Sequence, residues 1–205
     1  MLLQHFKLAG YYWQQTGVTS TYSDIEIREG CRQQQRKAQG YLYNKYYSDF
    51  MKICLRYANS MHDAEQWLND GFYKIFTKIN LYDGKGSFEG WMKRVLINTC
   101  LDNLKANKKH NVLLFTDMSE NPPALTSAHI GNDALHNLGF KEIIMVLQQI
   151  PETHRTVFNL SVFEGYTHKE IAESLGIKEG TSFWYMNQAR ELLKQKISEY
   201  QLKAK

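Results

Sequence analysis

The chain has 205 residues, of which 43% are apolar and 22% charged, and its mean hydropathy is −0.50. These values describe a folding globular protein, and the lack of any apolar run near the roughly 20 residues of a bilayer crossing predicts no membrane insertion. The formal net charge of +4 is uneven: residues 1–110 hold 16 Lys and Arg against 10 Asp and Glu, residues 111–138 none against three, and residues 139–205 nine against eight. A basic first part suits a polyanion partner, although a solvated basic surface has the same composition. The first residues, Met1 to Lys7, lack the apolar core and cleavage pattern of a signal peptide, so a cytoplasmic location is expected. Cys31, Cys54 and Cys100 are odd in number and far apart, which predicts buried thiols rather than a disulfide framework or a Cys-x-x-Cys metal site. With Pro122, Pro123 and Pro151 as the only prolines, long helices are unobstructed and the expected fold is all-α.

In chain order, residues 1–22 carry Tyr11-Tyr12-Trp13 among turn-forming residues and are expected as a tail. A short polar helix is predicted from about Asp24 to Gln39, with Ile25, Ile27 and Cys31 as its apolar points. A second follows from Tyr41 to Tyr57, where Leu42, Tyr46, Phe50, Cys54 and Tyr57 recur every three or four residues. Ser60 caps a third helix, which stacks Ala64, Leu68, Phe72, Ile75, Phe76 and Ile79 on one side and Asp63, Gln66, Asp70, Lys74 and Thr77 on the other. The glycine-rich loop Tyr82-Asp83-Gly84-Lys85-Gly86 breaks the chain before a fourth helix opened by Ser87 and running to about Ala106. Residues 111–138, with a Pro pair and no helical repeat, form an expected acidic, flexible linker.

Residues 139–205 read as a second small domain of four helices. Lys141 to Gln149 makes the first, and Pro151 opens the next, which ends near Glu164-Gly165. Thr167 and Glu170 form a capping box that launches the third, Gly176 supplies a tight turn, and the last runs from about Glu179 to Tyr200. The final pair has a helix-turn-helix layout. At about 100° per residue, Ser182, Met186, Ala189, Leu193 and Ile197 face inward, Trp184, Asn187, Gln188 and Glu191 face outward, and Phe183 and Tyr185 flank them. Amides pair with adenine in a major groove and aromatic edges meet thymine methyls, while cations are missing from this face until Arg190 and Lys194. An aromatic protein-contact patch is the other account of Phe183 and Trp184.

The fourth helix repeats Trp91, Arg94, Asn98, Asp102, Lys105 and Lys109 along one stripe. A stacking surface beside cations and behind a glycine-rich loop suits single-stranded nucleic acid; a solvated face with Trp91 turned into the core is the alternative. No His-Glu-x-x-His or P-loop occurs, Gly84-x-Gly86 lacks the third glycine and the strand of a dinucleotide site, and the histidines are scattered. No catalytic residue, metal or cofactor is therefore assigned, and the protein is not expected to be an enzyme.

Taken together, the chain resembles a bacterial RNA polymerase sigma factor of the extracytoplasmic-function group, over about Asp24 to Ile197. The residues that carry the resemblance are Asp63-Ala64-Glu65-x-x-Leu68-x-Asp70-x-Phe72, then Ser87-Phe88-x-x-Trp91-x-x-Arg94-x-x-x-Asn98-x-x-x-Asp102, then Ile150-Pro151 and Glu164-Gly165-Tyr166-x-x-Lys169-Glu170-Ile171-Ala172-x-x-Leu175-Gly176. It implies a promoter-specificity subunit without chemistry of its own. Residues 23–110 would dock on the clamp helices of the largest polymerase subunit through Asp63, Glu65, Gln66, Asn69, Asp70, Tyr73 and Lys74. They would also melt the minus-ten element, with Tyr82, Asp83, Lys85, Phe88, Trp91, Lys93, Arg94, Asn98, Asp102, Lys105, Lys108 and Lys109 on its single strand. Residues 139–205 would read the minus-thirty-five element beside the polymerase flap through Arg155, Lys169, Thr181, Phe183, Trp184, Asn187, Gln188 and Arg190. The implied partners are core RNA polymerase, promoter DNA and an anti-sigma factor. Gln66 and Asn69 depart from the residues usual on the docking helix, which bears on affinity for polymerase, and Phe183, Trp184 and Gln188 depart from those usual on the recognition helix, so altered or weakened upstream reading is expected. A two-domain helix-turn-helix regulator of duplex operators is the competing class; it would bind duplex DNA tightly alone, usually as a dimer.

Overall fold

The computed structural model describes residues 23–110 and 139–203; the expected tail over 1–22 and the acidic linker over 111–138 lie outside the described residues. Among the described residues every regular element is helical, and the chain divides into two units between Asn107 and Lys108. No helix among them is long and apolar enough to cross a membrane.

In the first unit, Ser23 caps α1 (Asp24–Arg32): its Oγ accepts from Glu26 N at 3.3 Å while the Glu26 carboxylate accepts from Ser23 N at 2.8 Å. The expected helix to Gln39 ends early, because Gln34 takes a left-handed φ of 55° and α2 (Arg36–Tyr57) begins before the expected Tyr41 start and runs through Gly40. The turn falls where packing requires it. Gly30 is buried at the α1–α2 crossing, and a Cβ there would stand 2.6 Å from the Ala38 Cβ.

Ser60 caps α3 (Met61–Lys78) as expected, its Oγ accepting from Asp63 N at 3.1 Å. The six apolar residues assigned to one side of this helix and its end are all buried, and Trp67 joins them at 3% exposure. They meet Leu42, Phe50, Cys54 and Tyr57 of α2 and Met92, Leu96 and Cys100 of α4 (Phe88–His110), all buried, in one core. Each such apolar side chain contributes about 1.5–3 kcal/mol by leaving water. The three cysteines are free thiols, all buried. A single 3₁₀ turn, Ile79–Leu81, ends α3 and hands the chain to the glycine-rich loop.

Among its described residues the second unit has four α-helices: α5 (Phe140–Leu147), α6 (Glu152–Phe158), α7 (His168–Leu175) and α8 (Glu179–Lys203). Pro151 stands at the cap of α6, where its missing N–H costs no bond, and the helix widens into a π turn over Asn159–Phe163 before stopping at Gly165. Thr167 and Glu170 make the expected reciprocal cap of α7, and Gly176 closes it in the left-handed region with φ 69°. Ser182, Met186, Ala189, Leu193 and Ile197 are buried, so the inward face of α8 is the one its periodicity marks.

Candidate nucleic-acid interface

The loop from Tyr82 to Ser87 is shaped by its own residues. Gly84 and Gly86 have φ of 83° and 74°, a region closed to most side chains, and the Asp83 carboxylate accepts from Lys85 N at 2.9 Å to tighten the turn. Tyr82 is 5% exposed and donates its hydroxyl to Gly86 O at 2.8 Å, so it braces the loop from beneath rather than offering a free ring. Phe88 and Trp91 stack on each other at 5.8 Å with planes 11° apart, and both rest on Tyr82 at 5.2 and 5.8 Å. Trp91 is thus half-buried, neither turned fully into the core nor wholly presented to solvent.

Beyond this aromatic shelf, Arg94, Asn98, Asp102 and Lys105 lie exposed along α4, one stripe as the spacing requires. Its positive charge is partly offset. Lys93 pairs with Glu89 at 2.6 Å, Asp102 with Lys74 of α3 at 2.9 Å, and the loop's Lys85, largely exposed, with Asp83 at 3.5 Å, while Arg94 and Lys105 are exposed along the stripe. The side chains of Lys108 and Lys109 lie outside the described residues. Two residues that the sequence did not single out hold the loop's base: Arg32 donates from Nη2 to Tyr82 O at 3.1 Å, and the Arg28 guanidinium stands 5.6 Å from the Tyr82 ring centroid. Fifty positions separate Arg32 from Tyr82, and no local pattern joins them.

On α3, Glu65, Gln66 and Tyr73 are exposed, whereas Asp63 and Asn69 are engaged within the protein. The Asp63 carboxylate accepts from Ser60 Oγ at 2.8 Å, and Asn69 Oδ1 accepts from Tyr43 OH at 3.1 Å. Burial raises the Asp70 carboxyl above its usual range against the lowering pull of Lys74 and a hydrogen bond from Asn103.

In the second unit, Phe183 is 49% exposed, Asn187 and Lys169 are exposed, and Thr181, Gln188 and Arg190 are half-exposed. Three expectations are corrected. Arg155 is 2% exposed, with Thr156, Val157 and Phe158 after it on α6 buried as well, so its side chain lies inside the unit rather than on its surface. Tyr185 is 9% exposed and meets His154 edge-on at 5.0 Å, so it faces inward rather than flanking the outer face. Trp184 lies along the surface against His154 at 5.8 Å with its indole N–H buried, and is only partly outward. The two changes on α8 have one cause: α6 packs across α8, and helical arithmetic on α8 alone does not contain that neighbour. The residue that sequence reasoning missed here is His168, whose Nδ1 lies 2.9 Å from Ser182 Oγ and whose ring lies 3.8 Å from that of Phe183. Its place just after the Thr167 cap was the available signal.

A helical unit bearing an aromatic shelf and a basic stripe, followed by a second unit built on a helix-turn-helix, defines a DNA-binding protein of two modules. The family model described as Sigma-70 region 2 matches residues 42–110, and that described as Sigma-70, region 4 matches residues 140–193. The ECF RNA polymerase sigma-E factor of Haemophilus influenzae is 25% identical over 183 residues, 85% of this chain and 95% of its own length. The ECF RNA polymerase sigma factor SigE of Mycolicibacterium smegmatis is 25% identical over 73% of this chain and 57% of its own length. The solved structure of CnrH in complex with the cytosolic domain of CnrY aligns with a TM-score of 0.46 and 14% identity, covering 84% of this chain and 96% of that one. The chain belongs to the sigma-70 family, in its extracytoplasmic-function group, and is a transcription initiation factor. Membership implies core RNA polymerase and promoter DNA as its partners.

Proposed function

We propose that residues 23–110 bind the clamp helices of the largest polymerase subunit through the exposed part of α3 and open the minus-ten element at the loop beside α4. Glu65, Gln66 and Tyr73 make the direct contacts, while Asp63, Asn69, Asp70 and Lys74 hold the surface in shape. Asp83, Phe88, Trp91 and Asn98 receive a base extruded from the duplex, with Tyr82 beneath them. Lys85, Lys93, Arg94, Lys105, Lys108 and Lys109 hold phosphates, and Asp102 keeps Lys74 in place. Extrusion costs a few kcal/mol, which stacking and pocket contacts offset. Residues 139–205 lay α8 in the major groove of the minus-thirty-five element beside the flap, with Thr181, Phe183, Asn187, Gln188 and Arg190 toward the DNA and Lys169 on its backbone. Trp184 contributes at the edge of that face. The acidic linker lies in polymerase channels, where its charge substitutes for nucleic acid. The role is one of binding, without catalysis, in the cytoplasm, and an anti-sigma factor restrains it.

The observation that carries this assignment is the aromatic shelf of Phe88 and Trp91, set on Tyr82 beside exposed Arg94 and Asn98. The test combines the purified chain, core polymerase and promoter DNA, with unpaired minus-ten thymines detected by permanganate. Opening that needs both proteins, with weak duplex binding by the chain alone, supports it. Tight dimeric binding to duplex without polymerase, and no opening with it, overturns it. Co-purification from native cells tests the anti-sigma partner.

A further inference from the structure

Phe183 is the most exposed phenylalanine of its unit among the described residues, yet its ring is held in place. It lies 3.8 Å, centroid to centroid, from the imidazole of His168, with the planes 31° apart. That imidazole is itself fixed, because its Nδ1 stands 2.9 Å from the hydroxyl of Ser182, which is fully buried. The contact joins the first residue of α7 to the opening of α8, so both helices of the helix-turn-helix set the ring's position. An ordered apolar group pointing into solvent loses little freedom when it binds.

The chemistry of the major groove limits what such a ring recognises. Guanine, cytosine and adenine present only donors and acceptors there, and thymine alone adds a methyl group. A phenyl ring neither donates nor accepts in the usual sense, so against a G·C pair it would strip water from polar edges without replacing their bonds. Against thymine it covers the methyl. One turn further along the same face stands the exposed carboxamide of Asn187, whose donor and acceptor match the N6 and N7 of adenine. From this we infer that α8 selects an upstream element with thymine opposite Phe183 and A·T pairing at the adjoining step, with His168 as the residue that positions the ring. The inference rests on α8 occupying the major groove as described under Proposed function.

The experiment uses the full chain with core polymerase and promoters selected from a library randomised in the upstream element. A thymine enriched in the selection is then replaced by deoxyuracil, which removes only the methyl group. Initiation should fall about four-fold, the effect of one buried methyl-sized group. Phe183→Ala should lower initiation on the thymine promoter by a similar factor and erase the difference between thymine and deoxyuracil. His168→Ala should weaken that discrimination, and His168→Phe, which keeps a ring under Phe183, should restore it; a purely structural role for His168 would change stability and leave the discrimination intact. Upstream-dependent initiation that is indifferent to deoxyuracil overturns the inference alone. So does a Phe183→Ala chain that keeps its base profile but loses affinity for a polymerase subunit, since the ring then serves a protein contact. A chain that supports no initiation with core polymerase overturns the groove placement itself, and the inference with it.

Discussion

Replacing Arg32 with alanine isolates the support of the base-capturing loop from the loop's own residues. The wild-type guanidinium donates to Tyr82 O at 3.1 Å from a helix that precedes the matched region 2 segment. A hydrogen bond from a charged donor contributes about 1.5–3 kcal/mol when shielded from water. The Arg32 side chain is 32% exposed, so solvent screening brings the expected loss to about 1 kcal/mol. If the loop must hold its observed shape to take up a base, that loss lowers the equilibrium constant for that shape by about five-fold. Permanganate footprinting of holoenzyme on a melted promoter reads the population directly, and titration of labelled chain against core polymerase reads docking. Opening should fall by up to about that factor with docking unchanged, and Arg32→Lys, which keeps the charge but loses the planar fork, should fall between the two. Wild-type opening in a chain whose urea denaturation shows the lost stability would refute the reasoning, because the bond would then serve folding alone.

Asn98→Ala removes an exposed side chain, so stability should hold within about 0.5 kcal/mol while promoter opening drops; equal losses in opening and polymerase binding would contradict its assignment to DNA. Gly30→Ala meets the Ala38 Cβ, and the overpacking cost of about 1–3 kcal/mol exceeds the gain of about 1 kcal/mol in helix propensity. Thermal unfolding should show a net loss that Ala38→Gly in the same chain restores. In the second unit, burial holds His154 below its ordinary value of 6.5, and burial, with a smaller contribution from Arg190, does the same for His168 against the pull of Glu179. The unfolded chain therefore takes up protons that the folded unit resists. Stability should be full above about pH 6.5 and fall as the pH drops through the folded values, and His154→Phe should flatten that dependence in urea titrations across pH.

Local signals identified the helical class from the few prolines, the buried faces of α3 and α8 from periodicity, and the caps at Ser60, Thr167 and Gly176 from capping residues, because each depends on residues within a few positions of one another. The loop and the stripe on α4 were legible for the same reason: glycines at left-handed positions and a repeat of three and four are local facts. The break between α1 and α2 was not, since Gln34 takes its unusual φ without a glycine or proline to announce it, and the crossing of Gly30 with Ala38 locates it. Nor were the burial of Arg155 and Tyr185, the sideways placement of Trp184, or the support of Tyr82 by Arg28 and Arg32. What the sequence by itself determined was the apolar face of α3 and the inward face of α8. Only the tertiary structure decided which side chains remain available, because a side chain's access to DNA depends on the neighbouring helix packed against it, and that neighbour comes from a distant part of the chain.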